Sequence, residues 1–208
     1  PEMILCNHEE IAVAIAHGYG RAAGKPMIAF VHDIVGLLHA SMAMFNAWMA
    51  REAVIVLGGP GPVDANHRRP WIDWIHTANV QGNAVRDFVK WDDQPASAEA
   101  SVESLIRAYH VATAEPKGPV YVCFDTDVQE GKLDEPFEMP DFSKFPAPTR
   151  FNADPDGLDH VADLLMNAKN PAIIADFLGR NEASTAGLVR LAESLAVPVI
   201  TGGDLYNF

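Results

Sequence analysis

Three short, uninterrupted apolar runs govern what this chain can become: Met27–Val31 (MIAFV), Ala53–Leu57 (AVIVL) and Pro119–Phe124 (PVYVCF). None shows the apolar–polar alternation of a strand with one wet face. A strand that is apolar at consecutive positions has to be covered on both sides, which is the condition of a parallel sheet with helices on its faces. The stretches between them supply the helices. Asn7 suits an N-cap, with Glu9 and Glu10 following where the helix dipole favours acids. Ile11–Ala23 is Ala-rich, and Gly24 is a natural stop. Leu37–Met49 reads as a second helix and Trp71–Ile75 as a short one. Ser97–Ala114 has helical spacing at Val102, Leu105, Ile106, Tyr109, Val111 and Ala112. Strands alternating with helices define an α/β fold.

The pattern then breaks. Pro136, Pro140, Pro146, Pro148 and Pro155 crowd a stretch poor in aliphatic residues, the composition of a linker. Beyond it a second α/β unit is expected: helices over Leu158–Ala168 and Ala183–Leu195, strands over Pro171–Ala175 and Pro198–Thr201. The expected organisation is a first domain over 1–134, a linker over 135–156 and a second, truncated domain over 157–208. Pro1–Ile4 reads as the end of a strand, and Asp204–Phe208 stops just after another. That pattern is expected of a fragment whose N-terminus is missing.

Composition narrows the partners. Of 208 residues, 15 are Lys or Arg and 28 Asp or Glu, a net charge of −13. Nucleic-acid backbones and anionic membranes call for clustered cations, so neither is an expected partner. No apolar run approaches the roughly 20 residues of a membrane span. The two cysteines, Cys6 and Cys123, form no CxxC and suit a reducing cytoplasm. The eight histidines make no HExxH and no close ligand set, so no metal site is expected in this chain.

Chemistry concentrates in His8-Glu9-Glu10, Gly18-Tyr19, Arg21 and Gly24-Lys25-Pro26, and in His32, Gly36 and Asn46-Ala47-Trp48. The first set resembles the pyrimidine-binding domain of thiamine-diphosphate enzymes, in which a glutamate stands nine residues before a Gly-Tyr pair. The second resembles benzoylformate decarboxylase, as do Val89-Lys90-Trp91, Gln94-Pro95-Ala96-Ser97 and Lys117-Gly118-Pro119. The likeness is close over residues 6–125. From 157 onward it is a general likeness to the family's Rossmann-like middle domain.

The resemblance implies a function. Glu9 would share a proton with N1′ of the cofactor's aminopyrimidine, leading to a C2 ylid and an enamine in non-oxidative decarboxylation of a 2-oxo acid. His32 would be the catalytic proton relay, since imidazole titrates near neutrality. Val35, Gly36, His39 and His76 would line the cofactor; His39 and His76 fall where acetolactate synthases place Asn and Gln. Asp33 either orients His32 or caps the following helix. Gly202-Gly203-Asp204 lacks the last glycine of the family's Gly-Asp-Gly magnesium motif, so Mg2+ would be held by a part of the protein outside this chain. The family also implies a homodimer or homotetramer. Leu37, Leu38 and His39 depart from the small residues or Asn of many relatives, leaving the substrate open. The alternatives are an acetolactate-synthase-like carboligase and a non-catalytic or split subunit of the same fold.

By contrast, Gly18-Tyr19-Gly20 with Gly24 has the wrong spacing and setting for a dinucleotide fingerprint, and Gly58–Pro62 lacks the Lys-Ser/Thr of a phosphate loop. Trp71 and Trp74 read as core or interface residues.

Overall fold

The computed structural model describes residues 2–133, 135–149 and 151–202. Pro1, Gly203, Asp204 and the remaining C-terminal residues, on which expectations above also fell, lie outside them. The chain forms two compact units, Pro1–Thr149 and Arg150–Phe208.

The first unit is built on a four-stranded sheet of order β1-β2-β4-β3: β1 (Met27–Phe30), β2 (Val54–Gly58), β3 (Asp92–Asp93) and β4 (Val120–Cys123). Every pairing is parallel, with Ile28 opposite Ile55, Val56 opposite Tyr121, and Asp93 opposite Val122. The helices are α1 (Glu9–Ala23), α2 (Asp33–Met49), α3 (Asp73–His76), α4 (Ala98–Thr113) and α5 (Thr126–Glu130).

Strands β2 and β4 are buried at every position, and alternate residues explain why. Val54, Val56, Tyr121 and Cys123 enter one core with Val13 and Ala16 of α1 and Leu37, Ala40 and Met44 of α2. Ala53, Ile55, Leu57, Val120 and Val122 enter a second core with Ala108 and Ala112 of α4. The sheet is therefore sandwiched between two helical layers. Truncating Leu37 or Met44, both fully enclosed, to Ala would cost about 2–5 kcal/mol.

Strand β1 corrects the expectation of burial on both faces. Among the described residues it stands at the edge of the sheet; Ala29 and Val31 face the first core, while Ile28 is 47% and Phe30 63% exposed. Strand β3 was not expected, because two consecutive aspartates carry no apolar signal.

Several residues of the family likeness have structural work. Lys90 Nζ donates to the carbonyls of Val111 and Ala114, at the end of α4, where a cation complements the helix dipole. A Cβ on Gly118 would lie 2.9 Å from Lys90 Cγ, so glycine leaves the lysine its path. Ser97 caps α4 by accepting the Ala100 N–H at 3.1 Å.

The second unit contains α6 (Pro155–Asn167), β5 (Ile173–Ala175), α7 (Glu182–Leu195) and β6 (Val199–Thr201). Strands β5 and β6 pair in parallel, Ile174 opposite Ile200, making one βαβ unit. Helix α6 starts three residues before its expected first position: Asp154 accepts the Gly157 N–H and Pro155 occupies the first turn, where its missing N–H is no loss.

Candidate active site

Helices α1 and α2 meet through small side chains. Val13, Ala16 and Gly20 are the buried face of α1, and Gly36, Ala40, Ala43 and Ala47 lie on the buried face of α2. Such faces let backbones approach. At the far end of α1, a Cβ on Gly20 would stand 3.3 Å from the Ala53 carbonyl, at the entry to β2. At the near end, Glu9 lies over Gly36: a Cβ there would be 3.0 Å from Glu9 Cγ and 3.1 Å from its Oε1. The N-termini of both helices thus converge beyond the carboxyl end of β1, where open parallel α/β sheets bind ligands.

The N-cap of α1 is His8, not Asn7. Its Nδ1 accepts the Glu10 N–H at 3.2 Å, taking the role expected of the Asn7 side chain one residue earlier. His39, from the second turn of α2, comes to both residues. Its Nδ1 is 3.6 Å from Glu9 Oε2, and its ring stacks on that of His8 with centroids 5.0 Å apart and planes 16° off parallel. Glu9's backbone N–H holds its carboxyl below the usual range; partial burial opposes this, and His39 and His8 add to the lowering. The group is an ionised, partly exposed acceptor. The carboxylate and the two imidazoles place ligand atoms within 4.8 Å of one another, a set that sequence spacing concealed because α1–α2 packing assembles it.

His32 precedes α2 and is exposed. Its ring meets that of His76 edge to face, centroids 5.8 Å apart; His76 Nδ1 is enclosed and has no hydrogen-bond partner among the described residues. Glu9 and His32 line one groove of about 660 Å³ with His8, Ile4, Ile28 and Phe30. Val35 is exposed beside Gly36. The fold therefore gathers Glu9, Gly36 and His39 into one contact group and His32 with His76 into another.

Asp33 is the first residue of α2, after an N-cap, His32, whose side chain makes no capping bond. Its φ is 44°, a left-handed conformation that Asp tolerates better than most residues. Its Oδ1 accepts the Ile34 N–H at 2.7 Å and the amide of Gln81. Gln81 Oε1 in turn accepts the Tyr121 hydroxyl at 2.8 Å, and that hydroxyl lies 3.4 Å from Cys123 Sγ. Burial raises the Asp33 carboxyl above its usual range, against the lowering by its hydrogen bonds and by His32 and His76. Burial likewise pushes the Cys123 thiol up to about 12. No local motif announces this chain of contacts, because its members lie on three separate segments: the start of α2, the Gln81 turn and β4. Trp71 and Trp74 are exposed, so they are not core; Arg68 lies over Trp74, 5.1 Å from the ring centre.

Residues 1–85 match the family described as thiamine pyrophosphate enzyme, N-terminal TPP binding domain. The chain is 27% identical to benzoylformate decarboxylase of Pseudomonas aeruginosa over 204 residues, 94% of this chain and 36% of that protein. It is 25% identical to a probable acetolactate synthase large subunit of Methanocaldococcus jannaschii over 209 residues, 95% of this chain and 33% of that one. The crystal structure of benzoylformate decarboxylase from Polynucleobacter necessarius superposes with a TM-score of 0.81 at 28% identity, covering 96% of this chain and 36% of that one. Residues 1–85 belong to the N-terminal, pyrimidine-binding domain of the thiamine pyrophosphate enzymes. Across about 95% of its length the chain is a homologue of benzoylformate decarboxylases and acetolactate synthases, spanning about a third of the length of these relatives. Among the described residues no helix is long and apolar enough to cross a membrane.

Proposed function

We propose that this chain is the cofactor-activating part of a cytoplasmic thiamine-diphosphate-dependent enzyme catalysing non-oxidative decarboxylation of a 2-oxo acid. In this reading residues 1–134 activate the cofactor, 135–156 link, and 157–208 begin a middle domain. The observation that carries it is the Glu9 carboxylate, partly exposed over Gly36 where α1 and α2 begin.

The residues suit the cofactor's aminopyrimidine. Glu9 offers an ionised acceptor, Gly36 leaves room for the Glu9 side chain to lie against α2, and exposed Val35 offers an apolar surface. His39 flanks the acid and His76 lies behind His32. When bound, thiamine diphosphate supplies a carbon nucleophile at C2 of its thiazolium, and the protein sets position and protonation state. Glu9 holds the proton at N1′. His32, exposed at the groove wall, gives and takes protons at the substrate-derived atoms. Magnesium and the diphosphate fall to a part of the protein outside these residues, and the active protein is a homodimer or homotetramer.

The test is deuterium exchange at C2 of the cofactor in the intact protein, followed by product analysis with 2-oxo acids. Exchange dependent on Glu9, with CO2 and an aldehyde as products, supports the reading. Absence of exchange in the wild type overturns it. The second reading, carboligation, is favoured by the likeness to acetolactate synthases; a 2-hydroxy ketone or acetohydroxy acid product, in place of the free aldehyde, would establish it.

A further inference from the structure

We propose that His8, Glu9 and His39 form a binding site for a Zn2+-class transition-metal ion, and that such an ion competes with thiamine diphosphate for the protein. The competition rests on the assignment of Glu9 to the cofactor; the metal site does not.

The donors come from two helices. His8 and Glu9 are the N-cap and first residue of α1, and His39 projects from the second turn of α2. A tetrahedral ion with bonds of about 2.0–2.2 Å holds its ligand atoms roughly 3.3–3.5 Å apart. His39 Nδ1 and Glu9 Oε2 already stand 3.6 Å apart. All three donors lie within 4.8 Å of one another, so His8 has roughly an ångström to close, and its side chain is exposed. Each nitrogen lone pair lies in its own ring plane, so the near-parallel stack of the two imidazoles, 16° apart, has to open for both to reach one ion, and both rings are exposed and able to turn. Ligation through His8 Nδ1 displaces one contact, the 3.2 Å hydrogen bond from the Glu10 N–H, which is long and solvent-exposed.

The donor chemistry selects the ion. Two imidazoles and one carboxylate suit Zn2+, Co2+, Ni2+ or Cu2+, whereas Mg2+ and Ca2+ prefer oxygen ligands. The exposure of both imidazoles leaves a further coordination position to water. A carboxylate engaged by a cation is unavailable to share a proton with a pyrimidine nitrogen, so ion and cofactor exclude each other while Mg2+ on the diphosphate is unaffected.

The intact protein, stripped of metal and cofactor, is titrated calorimetrically with Zn2+ alone, and with Co2+ alone by visible spectroscopy. One tight equivalent is expected, with the absorption of tetrahedral or five-coordinate cobalt. His8→Ser, which retains a capping oxygen, and His39→Asn should each weaken that equivalent. Losing an outer partner of a metal ligand already costs roughly 10–100-fold, so losing a ligand should cost at least that. Circular dichroism checks that both variants are folded. Undiminished binding in both would place the ion on other histidines and overturn the site. Thiamine diphosphate affinity, measured by calorimetry at saturating Mg2+, should fall in proportion to added Zn2+. Binding abolished by the variants, with cofactor affinity indifferent to Zn2+, would uphold the metal site and overturn the competition together with the assignment of Glu9.

Discussion

Glu9 and His32 line the same groove, yet their removal should fail at different steps. Glu9→Gln keeps the shape and removes the ionised oxygen, so C2 deuterium exchange should fall to the background of free cofactor while circular dichroism stays unchanged. Wild-type exchange in that variant would mean that another acid does the work. His32→Ala should leave C2 exchange intact and slow turnover by roughly 10²–10⁴, the usual cost of a lost acid–base group. Normal turnover there would reduce His32 to a packing partner of His76. The Gly18-Tyr19 spacing made Glu9 legible as a candidate in the sequence, and the likeness of His32, Gly36 and Asn46-Ala47-Trp48 to benzoylformate decarboxylase did the same for His32. His8 and His39 were not legible as neighbours. They lie 31 residues apart, and only the close approach of α1 and α2 stacks them.

At the scale of elements, the contact between α1 and α2 is set by small residues, and Gly36 is where it touches chemistry. Gly36→Ala adds a methyl about 3 Å from the Glu9 side chain. The helix itself should tolerate it, since Ala is favoured over Gly in a helix by about 1 kcal/mol. C2 exchange is expected to drop while the melting temperature holds or rises; equal losses in both would show a packing defect instead. Asp33 offers a pH test. Its folded-state pKa is raised by burial above the ordinary 3.8, so its protonated form favours folding at low pH, and that contribution is lost as pH rises through the raised value. Asp33→Asn retains an Oδ1 acceptor for the Ile34 and Gln81 amides and removes the charge. The variant should melt higher than wild type near neutrality, with the gap narrowing in acid as Asp33 protonates. A gap that widens in acid would contradict the sign. Elements with strong apolar signals, β2, β4 and α4, were legible to within a residue or two. Strand β3 was not, because Asp92 and Asp93 are held by backbone pairing with β4, and β1 was over-read because edge position depends on sheet order, which a local pattern does not encode.

For the whole molecule, α2 makes the strongest demand. Its sequence carries one charged residue, Asp33, and a helix apolar on all sides is normally enclosed on all sides. One face packs on the sheet. On another, Leu38, Met42, Phe45 and Met49 recur at alternating steps of four and three, and all four are exposed, Leu38 and Met42 by more than half. That spacing is the seam of a helix–helix contact, and burying each such side chain fully is worth roughly 1.5–3 kcal/mol. A second copy of the chain is the expected cover, in keeping with the proposed homo-oligomer. The net charge of −13 opposes association only weakly at physiological salt, where the screening length is about 8 Å, and the seam itself is uncharged. Sedimentation velocity at assay concentration should therefore report a dimer or larger species. Met42→Glu combined with Met49→Glu places two like charges on the seam of each copy and leaves the sheet-facing side untouched. It should shift the protein toward monomer with helical content preserved and turnover lost. A wild type that is active as a strict monomer, or a double variant that sediments as wild type does, would mean that this face of α2 has some other use.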